Sequence, residues 1–308
     1  ELHIEFSMGV TLYPQDSNDM NDLITYADTA MYRVKQKGKS HYMYFNHNMT
    51  KKLNEKKRIK NILRDALKSG AFKLNFQPQV NLKTGKSDKF EALLRLEKYQ
   101  ISPGKFIPVA EETGLIIDIG RWVTEKAVEE IRDWIDRGYE PKKIAINFSG
   151  EQLNDDKYIE FLKDNLEKYD IKPEYIEIEI TENILIEHKN ESLEFLDDLK
   201  NLGVQIALDD FGTGYSSLSQ LTFLPADYIK LDKKLIERFI SGEKLNSIES
   251  LINLIHSLDL KVVAEGIEEY DLFKYLKKND CDYIQGYLFS RPLVKEDLIK
   301  EYDKNYLS

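Results

Sequence analysis

From Ala71 onward, short strand-like runs alternate with amphipathic helical stretches, and this alternation restricts the fold more than any other feature. The strand candidates are residues 72–80, 90–96, 143–148, 175–181, 204–210, 228–232, 261–265 and 282–289. Helical patterns lie between most of them, for example 122–135, 156–168, 192–202, 245–258 and 268–278. Eight strands with intervening helices predict an α/β fold, a (β/α)8 TIM-like barrel. A doubly wound open sheet is the competitor, but no strand candidate is followed by a G-x-G-x-x-G turn.

The residues before the barrel read differently. An extended segment from Leu2 to Tyr13 precedes a predicted helix over 19–37, with Leu23, Ala27, Ala30, Met31 and Val34 on one face and Gly38 as its stop. A short strand is expected at 41–45. So few residues do not cover the apolar faces they present, so 1–48 reads as the small α/β tail of a larger domain. Residues 51–60 are dense in Lys and Glu, and the helical pattern continues through Ile62, Leu63 and Leu67. A solvated linker helix is expected over 49–66, its charge run a wet face, with the barrel occupying 67–308. The chain starts at Glu1 without a Met and reads as a fragment.

The 44 basic and 54 acidic side chains give a net charge of −10, which argues against nonspecific binding of duplex nucleic acid. An acidic protein still binds a small phosphate diester when divalent cations sit between them. The one cysteine, Cys281, excludes an internal disulfide and fits a reducing, cytoplasmic setting. It reads as a buried small hydrophobe. No apolar run reaches membrane-spanning length, so an inner-membrane tether is expected only upstream of this chain.

Polar residues recur at the carboxyl ends of the strand candidates: Gln77, Glu91 with Arg95, Asn147, Glu179 with Glu182, Asp209 with Asp210, Lys230 with Asp232, Glu265, and Gln285. In a barrel these ends converge on one mouth. In Ile176-Glu177-Ile178-Glu179-Ile180-Thr181 the isoleucines face the helices, so Glu177 and Glu179 face the interior, where a carboxylate requires a partner. Asp209 and Asp210 are consecutive, and side chains one apart on a strand diverge. The pair therefore serves one metal centre only where the strand breaks, and Gly212 and Gly214 offer that break. A solvated polar turn is the alternative for this stretch taken alone. None of the five histidines, nor Cys281, lies at a strand end, so the donors are all oxygen and favour Mg²⁺ or Mn²⁺ over Zn²⁺. Paired aspartates with further carboxylates suit two ions, and Lys230, if desolvated beside them, orients or deprotonates a water.

In this order the residues resemble the EAL family of bacterial cyclic-di-GMP phosphodiesterases, over about residues 52 to 308. The name-giving motif stands as Glu91-Ala92-Leu93. Further matches are Phe76-Gln77-Pro78, Phe106-Ile107-Pro108, Ile146-Asn147-Phe148-Ser149, Glu179-Ile180-Thr181-Glu182 and Asp209-Asp210-Phe211-Gly212-Thr213-Gly214-Tyr215-Ser216-Ser217. Ile229-Lys230-Leu231-Asp232, Ala264-Glu265-Gly266-Ile267-Glu268 and the stretch from Gln285 to Pro292 complete the set. The resemblance implies hydrolysis of cyclic di-GMP to linear pGpG with two Mg²⁺ or Mn²⁺ ions. It implies Glu91, Asn147, Glu179 and Asp209 as ligands of one ion. Asp209, Asp210 and Glu265 would hold the other, with Asp209 bridging. Lys230 would contact the attacking water, Gln77, Arg95 and Gln285 the dinucleotide, and Glu182 would anchor the loop after Asp210. A homodimer through the EAL domain is also implied. Leu96, where the family often has Trp, and Asp280, where a Gly often precedes Cys-Asp, are departures that remove no expected ligand.

The first 46 or so residues resemble the carboxyl end of a GGDEF, or diguanylate cyclase, domain. The matching pieces are Ser7-Met8-Gly9-Val10, Ala27-Asp28-Thr29-Ala30-Met31-Tyr32 and Lys35-Gln36-Lys37-Gly38-Lys39. The Gly-Gly-Asp-Glu-Phe signature is absent, so no cyclase activity is expected of these residues. Three other classes compete. A module that binds cyclic di-GMP without cleaving it does not need the bridging aspartate, Lys230 and Glu265 together. A protein kinase, suggested by Asp210-Phe211-Gly212, lacks a His-Arg-Asp loop. An enolase-like barrel enzyme would use similar carboxylates and a Lys base, and only the ordered motifs argue against it.

Overall fold

The computed structural model describes residues 6–36, 41–187, 189–212, 224–241 and 246–307. The chain divides into two compact units, Glu1–Asp65 and Ala66–Ser308.

In the first unit, strands β1 (Met8–Val10) and β2 (Tyr42–Tyr44) pair in parallel, joined through the helix Met20–Gln36. Its small core holds Ala30, Phe45 and Met49, with the Tyr26 ring stacked on Phe45 at 4.1 Å. Phe6, Met8, Tyr13, Met20, Ile24, Tyr32, Tyr42 and Tyr44 remain exposed, as expected of a piece too small to bury its own apolar surface. The helix expected over 49–66 extends from His47 to Ser69.

The second unit is a closed barrel of eight strands. They are β3 (Lys73–Asn81), β4 (Ser87–Arg95), β5 (Lys143–Phe148), β6 (Ile176–Thr181), β7 (Gln205–Phe211), β8 (Tyr228–Leu231), β9 (Lys261–Ala264) and β10 (Tyr283–Ile284). They follow one another around the barrel, with β10 closing against β3. Pairing from β4 through β10 is parallel, but β3 runs antiparallel to both neighbours. The first connection is therefore a hairpin and not a helical crossover. Asn81 builds it, its Oδ1 accepting from the amides of Lys83 (2.9 Å) and Thr84 (3.3 Å). As a result Gln77 does not lie at a carboxyl end. It sits in the middle of β3, beside Glu91 in the register.

The last strand is also shorter than the expected 282–289. After Ile284 the chain turns to bond with the segment following β9, the amide of Leu288 reaching the carbonyl of Ile267 at 3.1 Å. Gly286 allows this approach, since a Cβ there would lie 2.0 Å from the Ile267 carbonyl oxygen.

Outside the barrel, the helix Leu115–Asp136 buries Ile116, Ile119, Val123, Ala127, Ile131 and Trp134, the spacing of one apolar helical face. Trp134 meets the rings of Phe76 and Phe90, which project outward from β3 and β4. Their neighbours Gln77 and Glu91 therefore point inward. Among the described residues no helix is long and apolar enough to cross a membrane.

Candidate active site

Strand alternation delivers the polar side chains to the barrel interior. Ile176, Ile178 and Ile180 pack outward, and Glu177 and Glu179 are turned inward and fully buried. The small residues Ala145 and Ala207 lie beside Glu91 and Glu179 in the register. Their size leaves interior volume for the long side chains around them.

Lys230, from β8, is the hub. Its Nζ lies 2.7 Å from Glu179 Oε2, 2.8 Å from Glu265 Oε1, 3.3 Å from Asp209 Oδ1 and 3.9 Å from Glu91 Oε2. Asn147 Nδ2 donates to Glu91 Oε1 at 2.7 Å, and Gln285 Nε2 to Glu91 Oε2 at 2.5 Å. Gln285 Nε2 also reaches Gln77 Oε1 at 3.2 Å, and Gln77 Nε2 donates to the carbonyl of Ser290 at 3.3 Å. Gln79 Nε2 approaches Glu179 Oε1 at 3.4 Å.

Charge dominates this cluster. Burial pushes the Glu179 carboxyl well above the usual range against the pull of Lys230, and Glu91 and Asp209 push the same way. Burial likewise lifts Glu265 to about 7, opposed by Lys230 and reinforced by Asp209 and Glu91. Burial alone would lower Lys230, yet Asp209, Glu179, Glu265 and Glu91 together hold it well above the ordinary lysine range. One ammonium thus faces four carboxylates.

The paired aspartates share a site because the strand breaks between them. Asp210 has φ 55°, its amide bonds Asp209 Oδ1 at 2.8 Å, and the β7–β8 register shifts between Leu208 and Phe211. The carboxylates of Asp209, Asp210 and Glu265 present oxygens that all lie within 4.8 Å of one another. Such an all-oxygen, acid-rich set fits a divalent cation. Gly212, at φ 90°, continues the break, and its amide donates to Glu182 Oε2 at 3.1 Å. Gly214 and the rest of the expected loop, from Thr213 to Ser217, lie outside the described residues.

The structure therefore brings Glu91, Asn147, Glu179, Asp209, Lys230, Glu265, Gln77 and Gln285 into one contact network. Asp210 stands exposed at its edge and Glu182 lies beyond it, against Gly212. Arg95, at the end of β4, lines a cavity of about 750 Å³ together with Glu91 and Asn147, and its Nη1 donates to the Leu94 carbonyl at 3.0 Å. Sequence reasoning missed Gln79, although its place two residues after Gln77 on an alternating strand signals the same face. Glu177, expected to face the interior, is answered by Lys89 at 2.9 Å, both side chains buried and the ammonium 3.6 Å from the Tyr228 ring centre.

The EAL domain family model matches residues 60–292. The chain belongs to the EAL family. A match to the diguanylate cyclase GGDEF domain covers residues 1–41 only. Over 294 residues the chain is 40% identical to the signaling protein YkoW of Bacillus subtilis, covering 94% of this chain and 37% of that protein. It is 36% identical over 303 residues to MucR of Pseudomonas aeruginosa, described as a bifunctional diguanylate cyclase/cyclic di-GMP phosphodiesterase, covering 97% of this chain and 44% of MucR. The chain thus spans less than half the length of these curated relatives. A solved structure of the MucR phosphodiesterase in complex with c-di-GMP superposes with a TM-score of 0.73 at 36% identity, covering 78% of this EAL chain and 99% of that one.

Proposed function

We propose that this chain hydrolyses cyclic di-GMP to linear pGpG as a metal-dependent phosphodiester hydrolase. The observation that carries the reading is the charge imbalance at Lys230, where four buried or half-buried carboxylates meet one ammonium. A dianionic substrate approaches such a cluster only when cations neutralise it. MucR, whose structure was solved with the dinucleotide, supports the choice of substrate.

Glu91, Asn147, Glu179 and Asp209 would hold one Mg²⁺ or Mn²⁺ ion, and Asp209, Asp210 and Glu265 a second. When bound, two such ions lower the pKa of water and neutralise developing charge on phosphoryl oxygens. Lys230 remains an ammonium and acts as a hydrogen-bond donor, fixing the carboxylates around it and orienting water at the phosphorus. Arg95 suits the phosphate, as a guanidinium matches its oxygens in pairs. Gln77 and Gln285, already bonded to one another and the latter also to Glu91, would hold the dinucleotide. Glu182 fixes the start of the segment after Asp210 through Gly212.

The reading assigns 1–48 to a GGDEF remnant without cyclase activity, 49–66 to a linker helix and 67–308 to the phosphodiesterase barrel. It places the protein in the cytoplasm as a homodimer through the barrel, which sedimentation tests. Incubation with cyclic di-GMP and Mg²⁺ or Mn²⁺, with product separated by chromatography, tests the activity. Tight binding with no linear product sinks it.

A further inference from the structure

We propose that Gln79 is a positioning residue that tunes which divalent cation the acid cluster accepts, an inference that rests on the metal-dependent reading above. Gln79 is fully buried in the barrel interior. Its Nε2 lies 3.4 Å from Glu179 Oε1, and Lys230 Nζ lies 2.7 Å from Glu179 Oε2. Each oxygen of that carboxylate therefore has its own donor, one neutral and one charged. In the closed sheet β3 is separated from β6 by β4 and β5, so Gln79 reaches Glu179 across the interior.

Chemistry fixes the orientation of the amide. A carboxylate that serves as a ligand only accepts, so the Gln79 nitrogen and not its oxygen faces it. The other end of the amide gains nothing, because Gln79 Oε1 is buried with no hydrogen-bond partner. An orphaned buried acceptor destabilises a fold, and a methionine or leucine of similar size would avoid it. What the amide contributes is its donation to Glu179. The backbone is shaped for that contact too. The β3–β4 register shifts between Gln79 and Val80, and such an irregularity re-aims the side chain beside it.

The cations differ in what they ask of a carboxylate. Mg²⁺ demands near-octahedral geometry, whereas the larger Ca²⁺ takes more oxygens and accepts both from one carboxylate. A Glu179 whose Oε1 is held by Gln79 has one oxygen to give, which suits the first ion and handicaps the second. Without that donor the carboxylate is free to turn and offer both. Gln79 is also neutral, so it fixes Glu179 without reducing the negative charge that draws a cation. Groups that orient a metal ligand from behind commonly contribute about 10- to 100-fold in affinity.

The test measures Mg²⁺, Mn²⁺ and Ca²⁺ affinity by calorimetry, without substrate, for wild type, Gln79→Met and Gln79→Leu. Both variants should bind Mg²⁺ and Mn²⁺ about tenfold or more weakly. Their Ca²⁺ affinity should fall by less than about threefold, so the preference shifts towards Ca²⁺. Melting temperatures in excess chelator should stay within about 3 °C of wild type and certify the fold. In turnover at fixed Mg²⁺, added Ca²⁺ should inhibit both variants at about tenfold lower concentration than wild type. Affinities for all three ions that fall by one common factor, or do not change, overturn the assignment. Collapse of both variants in chelator also overturns it, since Gln79 would then be a packing residue. A wild type that takes up none of the ions overturns the metal-dependent reading, and this assignment with it. A wild type that binds them but makes no pGpG overturns the hydrolase reading alone, and calorimetry still decides the role of Gln79.

Discussion

Lys89 and Lys230 are both buried in the barrel interior, yet their surroundings differ in kind. Lys89 meets one carboxylate, Glu177, and the Tyr228 ring, so its charge is balanced where it stands. Lys230 meets four carboxylates and is outnumbered. A balanced pair is complete in itself and sets the barrel's packing. An unbalanced one concentrates negative potential, which raises the carboxyls around it and favours a bound cation. Burial alone therefore does not distinguish the two lysines; the ratio of acids around them does.

That contrast breaks most sharply at Asp209. Asp209→Asn should lower turnover by about 10³-fold or more and weaken Mg²⁺ binding in calorimetry, since in the proposed reading one carboxylate serves both ions. Near-normal activity would mean the acids around Lys230 have been misread. Lys230→Ala should reduce kcat by about 10²-fold with KM changed only a few-fold. A loss confined to KM would make Lys230 a phosphate contact.

Lys89→Met should behave in the opposite way. Leaving Glu177 buried and unpaired costs about 3–5 kcal/mol of stability in denaturant titration, and kcat per folded molecule should stay at the wild-type value. Replacing Glu177 by Met as well should recover most of that loss. The smallest effect is thermal. Mg²⁺ at 100 times its dissociation constant should add about 2.7 kcal/mol and raise the melting temperature of wild type and Lys89→Met by several degrees, and of Asp209→Asn by little.

Much of this was legible in the residues. Apolar runs ending in oxygen donors mark strands that open on a mouth, and the Ile/Glu alternation of β6 announces which side chains turn inward. The antiparallel direction of β3 lies in the short Asn81-to-Lys86 turn, which suits a hairpin and leaves no room for a helical crossover, and not in the apolar runs on either side of it. Partner choice was also hidden. Lys89 is 88 residues from Glu177 and Lys230 is 51 from Glu179, and which lysine meets which acid depends on register across the closed sheet. Local sequence carries the direction of a side chain but not the count of charges it will face.

The most direct measurement is turnover of cyclic di-GMP by the full chain, with Mg²⁺ or Mn²⁺ and again with excess chelator. The account predicts linear pGpG that accumulates with the cation, stops with chelator and resumes when the cation is restored. Dinucleotide that stays intact with the cation present, while the protein binds it tightly, would contradict it.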